Sequence, residues 1–136
     1  MLGETPPHDG ERFWLLGSVT PAGVAELLAA SDLHVYPSWP HAVSRSLVEA
    51  MSAGCVVLAW DSEPVQEFLT HGQTGLLVLP GDADAQRRLA QAVLRDPAGH
   101  RPLGEAAATL VRERYAQDVT LPALARQFDR LVERGR

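Results

Sequence analysis

The sequence predicts an α/β fold: a Rossmann-like parallel sheet of about four strands, helices on its flanks, and a helical C-terminal tail. Three observations carry that expectation. Short apolar runs at Phe13–Gly17, His34–Tyr36, Cys55–Trp60 and Gly75–Val78 alternate with stretches of helical periodicity, which is the pattern of βαβ units. The run Cys55–Trp60 is apolar throughout, as a strand covered on both faces requires. From Asp82 onward only helical pattern remains. Right-handed crossovers should place consecutive strands side by side.

Residues 1–11 are polar and rich in Pro and Gly, and read as a flexible lead-in to one domain over 12–136. Thr20-Pro21 starts a helix, with Thr as N-cap and Pro at the first helical position; Val24, Leu27 and Leu28 give its apolar face. The strand His34–Tyr36 stops at Pro37. A helix beginning at Ser44 or Arg45 places Leu47, Val48 and Met51 on one face and closes on Gly54, a natural C′ glycine. Asp61-Ser-Glu-Pro64 opens a short helix through Phe68-Leu69, ended by His71-Gly72. Asp82 caps a helix to about Arg95 with Leu89 and Val93 facing inward. Asp96-Pro97 breaks it, and a second helix runs to about Tyr115. Thr120 starts a third, whose Leu121, Leu124, Phe128 and Leu131 share a face.

The 136 residues suffice for one modest core. A formal charge of −5 argues against nucleic-acid binding, which draws its affinity from a basic patch. No apolar run approaches the roughly 20 residues that span a bilayer, and residues 1–10 lack the features of a signal peptide, so a cytoplasmic location is expected. The lone Cys55 heads an apolar strand and reads as a buried small hydrophobe. His34 reads as core or edge packing, and His71-Gly72 as turn chemistry. His34, His41 and His71 have no metal-ligand spacing, so no metal is assigned. The chain contains no Lys, so any lysine-dependent step must be completed from outside it. It has no G-x-G-x-x-G, no P-loop and no G-x-S-x-G elbow.

Three loops, Gly17–Thr20 (with Ser18), Pro37–Val43 and Asp61–Glu63, follow strand ends and should gather on one sheet edge, where such folds bind ligands. The middle loop feeds a helix whose first N–H groups, on Ser44, Arg45, Ser46 and Leu47, favour an anion. Glu49 lies about one turn further in and leans back toward the helix start. It either reaches groups just beyond a phosphate, such as ribose hydroxyls, or is a solvated helix glutamate. His41 on the loop is either a surface residue or a sugar or phosphate contact. Arg45 opposes the helix dipole, so it swings into solvent or pairs with an anion. Glu63 reads as a local capping acid, and Glu67 is placed to face the same cleft.

The blocks Tyr36-Pro-Ser, Ser46-Leu-Val-Glu-Ala-Met-Ser-Ala-Gly-Cys-Val-Val-Leu58, Glu63-Pro-Val-Gln-Glu67 and His71-Gly-Gln-Thr-Gly-Leu-Leu-Val78 resemble the donor-binding half of retaining GT-B glycosyltransferases of family 4. The resemblance spans about Phe13 to Tyr115. It implies sugar transfer from a nucleotide sugar such as a UDP- or GDP-sugar, with no metal or other cofactor required. Glu49 would hold the ribose, and the backbone at Ser46 and Leu47 would meet the diphosphate. His41 stands where the family usually has a glutamate touching the donor sugar. In a similar subgroup the run before the helix is Leu-Ser-Trp-Ser; here Val43-Ser-Arg-Ser46 puts Arg45 in place of Trp. The family's Arg/Lys diphosphate clamp would lie upstream of this chain, as would the N-terminal acceptor domain, so the chain looks like a fragment, inactive alone, with part of the donor site. No catalytic residue is assigned.

Two other readings stand beside this one. A degenerate, non-catalytic nucleotide-binding or assembly module would use the sheet edge left exposed by missing strands, giving a homodimer. A GT-B nucleotide-sugar epimerase fits less well with the His71–Val78 block. The Arg126, Arg130 and Arg134 stripe could meet an anionic membrane, but the interleaved Asp129 and Glu133 favour a solvated face.

Overall fold

The computed structural model describes residues 16–38 and 43–134. In chain order its elements are α1 (Pro21–Ala30), β1 (Leu33–Tyr36), α2 (Arg45–Ser52), β2 (Val56–Trp60), α3 (Glu63–Gln66), β3 (Leu76–Val78), α4 (Ala83–Arg95), α5 (Pro97–Arg114) and α6 (Gln117–Arg134). The described sheet has three strands in the order β1-β2-β3, all parallel, as the crossover argument expects. Leu33 to Tyr36 lie opposite Val56 to Ala59, and Leu58 to Trp60 opposite Leu76 to Val78. The expected strand at Phe13–Gly17 falls mostly outside the described residues; its last two positions, Leu16 and Gly17, are not in a strand.

The central strand β2 divides the core. Val57 and Ala59 face a layer built from α2, α3 and α5, where Leu47, Met51, Val65, Leu69 and Ala107 are buried around them. Val56 and Leu58 face the other side, where Leu76, Val78 and Val93 of α4 close over them, with Leu89 packed at the margin. Two covered faces explain why no polar residue interrupts β2.

Local chemistry places most element ends. Thr20 Oγ1 accepts from the Gly23 N–H at 3.2 Å, Asp82 from Ala85 at 2.8 Å, and Asp96 from Gly99 at 3.0 Å. At the end of α2 the Cys55 N–H reaches the Ala50 carbonyl and the Gly54 N–H reaches Met51, with Gly54 at φ +74°. That is a Schellman closure, which needs a residue tolerant of the left-handed region. The next residue, Cys55, is buried. Its thiol donates to the Ser31 carbonyl at 3.3 Å, and burial, helped by the negative charge of Asp32, pushes it up to about 11.

Two boundaries differ from expectation. The helix opened by Asp61–Pro64 closes at Gln66 instead of Leu69, because the chain turns there into a loop tied by the Thr70 N–H to Thr74 Oγ1. The last helix begins at Gln117, not Thr120. The Thr120 hydroxyl bonds back to the Ala116 carbonyl inside the first turn instead of capping it. Its predicted apolar face, Leu121, Leu124, Phe128 and Leu131, is exposed throughout. His34 is half-buried in β1, as a packing residue should be, and the Leu77 N–H donates to His71 Nδ1 at 2.9 Å within the turn that carries Gly72.

Candidate functional site

The carboxyl ends of the parallel strands deliver Pro37-Ser38, Asp61-Ser62 and Leu79–Asp82 to one edge of the sheet, and α2 begins at that edge. Its start is held by a residue to which the sequence alone assigned no site role. Tyr36, the last residue of β1, is buried, and its hydroxyl accepts the Ser44 N–H at 2.8 Å while donating to Ser44 Oγ at 3.2 Å. Burial pushes the Tyr36 hydroxyl up, but hydrogen bonding with the Ser44 side chain and backbone and with the Ser38 side chain brings it below its ordinary 10.0. Ser44 Oγ lies 2.8 Å from Ser46 Oγ, completing a chain of three hydroxyls across the helix start. The available signal was the alternation of β1, which puts Tyr36 on the face that α2 covers.

The four N–H groups expected to be open at this helix start reduce to two. The Ser44 N–H is taken by Tyr36, and the Leu47 N–H bonds the Ser44 carbonyl at 3.2 Å in a tightened first turn. Those of Arg45 and Ser46 have no partner among the described residues. Ser44 occupies the N-cap position without a side-chain cap bond, its hydroxyl being committed to Tyr36 and Ser46.

Glu49 lies one turn inside α2, and Arg45 pairs with it. The Arg45 Nε and Nη2 both donate to Glu49 Oε1, at 2.9 and 2.7 Å. Side-chain exposure is 79% for Arg45 and 35% for Glu49, so the pair opens to solvent on the cation's side. Arg45 thus opens to solvent while its guanidinium is held by a carboxylate of its own helix. Beside it, Pro21, Val24 and Ala25 of α1 and Val48 of α2 line a largely apolar groove of about 480 Å³ that Arg45 and Glu49 also border.

The other predicted positions are more dispersed. Ser18 is exposed in the segment before α1. Glu67 is exposed beyond α3, its carbonyl accepting the Tyr115 hydroxyl at 3.4 Å, and no hydrogen bond among the described residues joins its carboxylate to Glu49. His41 lies outside the described residues. Ser62, at the second strand end, has a buried hydroxyl oxygen with no hydrogen-bond partner among the described residues, a feature the sequence reading missed. Among the described residues no three His, Cys, Asp or Glu side chains are grouped to hold a metal, and no helix is long and apolar enough to cross a membrane.

A parallel sheet covered on both faces, with a helix start opening at its carboxyl edge, defines the Rossmann-like class of ligand-binding α/β domains. Residues 4–96 match the profile of the glycosyl transferases group 1, and the chain belongs to that family. It is 33% identical over 111 residues to an N-acetyl-α-D-glucosaminyl L-malate synthase of Bacillus anthracis, covering 82% of this chain and 29% of that protein. It is 31% identical over 126 residues to a phosphatidyl-myo-inositol mannosyltransferase of Mycobacterium leprae, covering 92% of this chain and 33% of that protein. The chain therefore spans about a third of the length of these relatives. Among solved structures it resembles a sucrose-phosphate synthase from Thermosynechococcus elongatus, with TM-score 0.86 and 27% identity over 91% of this chain and 31% of the other. It also resembles HepE from Anabaena, solved in complex with UDP, with TM-score 0.72 and 25% identity over 76% of this chain and 29% of the other. The α/β architecture is thus that of the GT-B glycosyltransferases.

Proposed function

We propose that this chain supplies part of the donor site of a retaining glycosyltransferase that moves a sugar from a nucleotide sugar to an acceptor. One arrangement carries the reading: Glu49 stands one turn inside a helix whose Arg45 and Ser46 N–H groups are open, at the carboxyl edge of the sheet. A helix start of that kind stabilises a diphosphate through N–H groups and dipole. A carboxylate one turn in accepts from a vicinal diol, since its two oxygens match paired hydroxyls. The likeness to a chain solved with UDP supports the same assignment. In this reading Ser44 and Ser46 add hydroxyl contacts near the phosphates, and Leu47 fixes the helix start by packing beneath it. Ser18, His41 and Glu67 are candidates for the donor-sugar side.

The chemistry asked of such a site is stabilisation of the departing diphosphate. With few cations at the helix start, the chain alone should bind nucleotide weakly and turn over negligibly. Isothermal titration with UDP, GDP and ADP tests this. Millimolar binding of one of them, without sugar-nucleotide hydrolysis or transfer, is the expected result; no heat from any of the three would remove the donor-site reading.

A further inference from the structure

Arg45 is an unusual cation to place at the first position of α2. It opposes the helix dipole there, and its order relative to Glu49, base before acid, is the weaker one for a pair four residues apart. Both guanidinium bonds nevertheless go to a single oxygen, Oε1, of the carboxylate assigned above to the ribose. An exposed pair of this kind is worth at most about fivefold in an equilibrium constant. Any anion at the helix start competes for the guanidinium with better terms. It offers paired oxygens to the planar fork, and its own charge cancels the dipole penalty.

We propose that Arg45 is a specificity-determining latch, masking Glu49 in the free protein and turning to the diphosphate when a nucleotide binds, which releases Glu49 to the ribose. The inference rests on the donor-site reading and adds a coupling to it. Phosphate and ribose recognition become linked through one side chain, because occupying the first removes the competitor for the second. A nucleoside without phosphates must displace Arg45 from Glu49 with nothing offered in return. A nucleoside diphosphate gives Arg45 a stronger partner in the same step. The motion needed is small, since Arg45 is 79% exposed and no other side chain among the described residues bonds it. The outcome is selection for the phosphorylated ligand beyond what direct phosphate contacts provide.

The test is a comparison of UDP with uridine, GDP with guanosine and ADP with adenosine, followed by amide chemical-shift titration of the full chain and of Arg45→Met. Arg45→Met should lose about tenfold in affinity for the diphosphate, the scale of one charge-assisted hydrogen bond. It should gain up to about fivefold for the nucleoside as the mask is removed. Arg45→Lys, which keeps the charge without the fork, should recover part of the diphosphate affinity. Equal losses for nucleoside and diphosphate in Arg45→Met, or an unchanged diphosphate affinity, would overturn the latch while leaving the donor site standing. Absence of binding by the unaltered chain to all three diphosphates would overturn the donor-site reading and the latch together.

Discussion

The hydroxyl of Tyr36 accepts the backbone N–H of Ser44 at 2.8 Å, tying the end of β1 to the start of α2 across an eight-residue separation. The bond closes the loop that carries His41 at its two ends and consumes a donor that would otherwise face the site. Tyr36→Phe keeps the buried ring and removes only the oxygen. It should cost about 1–3 kcal/mol of stability, because the hydroxyl makes two hydrogen bonds, one from the Ser44 N–H and one to Ser44 Oγ. The measurement is the urea midpoint. Because the freed Ser44 N–H adds a donor at the helix start, nucleotide affinity should not fall with the midpoint. A parallel loss of both would show that the loop ends, not the extra donor, control binding.

Two glycines at the other end of α2 are required for different reasons. Gly54 sits at φ +74° with open space where a Cβ would be, so Gly54→Ala incurs only the left-handed penalty, about 1–2 kcal/mol. Gly104 of α5 faces the Gly54 carbonyl so closely that a Cβ would lie 2.8 Å from its carbon and closer still to its oxygen. Neither backbone can yield without separating α2 from α5. Gly104→Ala should therefore be the more damaging, about 2–3 kcal/mol by overpacking against rigid backbone. Thermal unfolding of the two variants ranks them directly.

Glu49→Ala isolates the carboxylate. Its pair with Arg45 is solvent-exposed on the cation side, so global stability should change by less than about 0.5 kcal/mol. Nucleotide binding should weaken by about 1–2 kcal/mol if a charged hydrogen bond to the ribose is lost. Matching titrations with a nucleotide and its 2′,3′-dideoxy analogue decide the matter: the variant should no longer distinguish them. Continued discrimination by Glu49→Ala would place the ribose elsewhere.

The parts of the fold that were legible in the sequence are those set by local chemistry. Thr20-Pro21, Asp82 and Asp96-Pro97 announce helix starts because the cap and the residues it serves lie within one turn. Gly54 announces a helix end for the same reason, and the continuous apolar run of β2 announces two covered faces. What escaped depends on competition between partners. Ser44 has the residue type of a side-chain cap, yet Tyr36 and Ser46 take its hydroxyl. The open N–H groups fall from four to two because one donor meets a tyrosine eight residues earlier and another bonds the carbonyl three residues before it. The Arg45–Glu49 pair is a further case, since a base one turn before an acid is the weaker order and gives little sequence signal. The apolar stripe of α6 was read correctly as a stripe, and the sequence held no sign that it would remain exposed.

His34 gives the domain an acid limit. It lies on β1 facing the same layer as Tyr36, with ring centroids 6.3 Å apart, and its Nε2 is buried with no hydrogen-bond partner among the described residues. Burial lowers its pKa from the ordinary 6.5, so the folded protein keeps the ring neutral while the unfolded chain takes up a proton at 6.5. The unfolded state then binds more protons as pH drops, and stability falls with it. The contribution is fully present above pH 6.5 and is lost as pH falls through the folded-state value. Urea midpoints measured between about pH 7 and pH 5 should decline for the unaltered chain, a window above the ordinary carboxylate range near 4. In His34→Phe, which keeps an aromatic ring of similar size, that decline should flatten. Parallel profiles for the two proteins would assign the acid sensitivity to other groups.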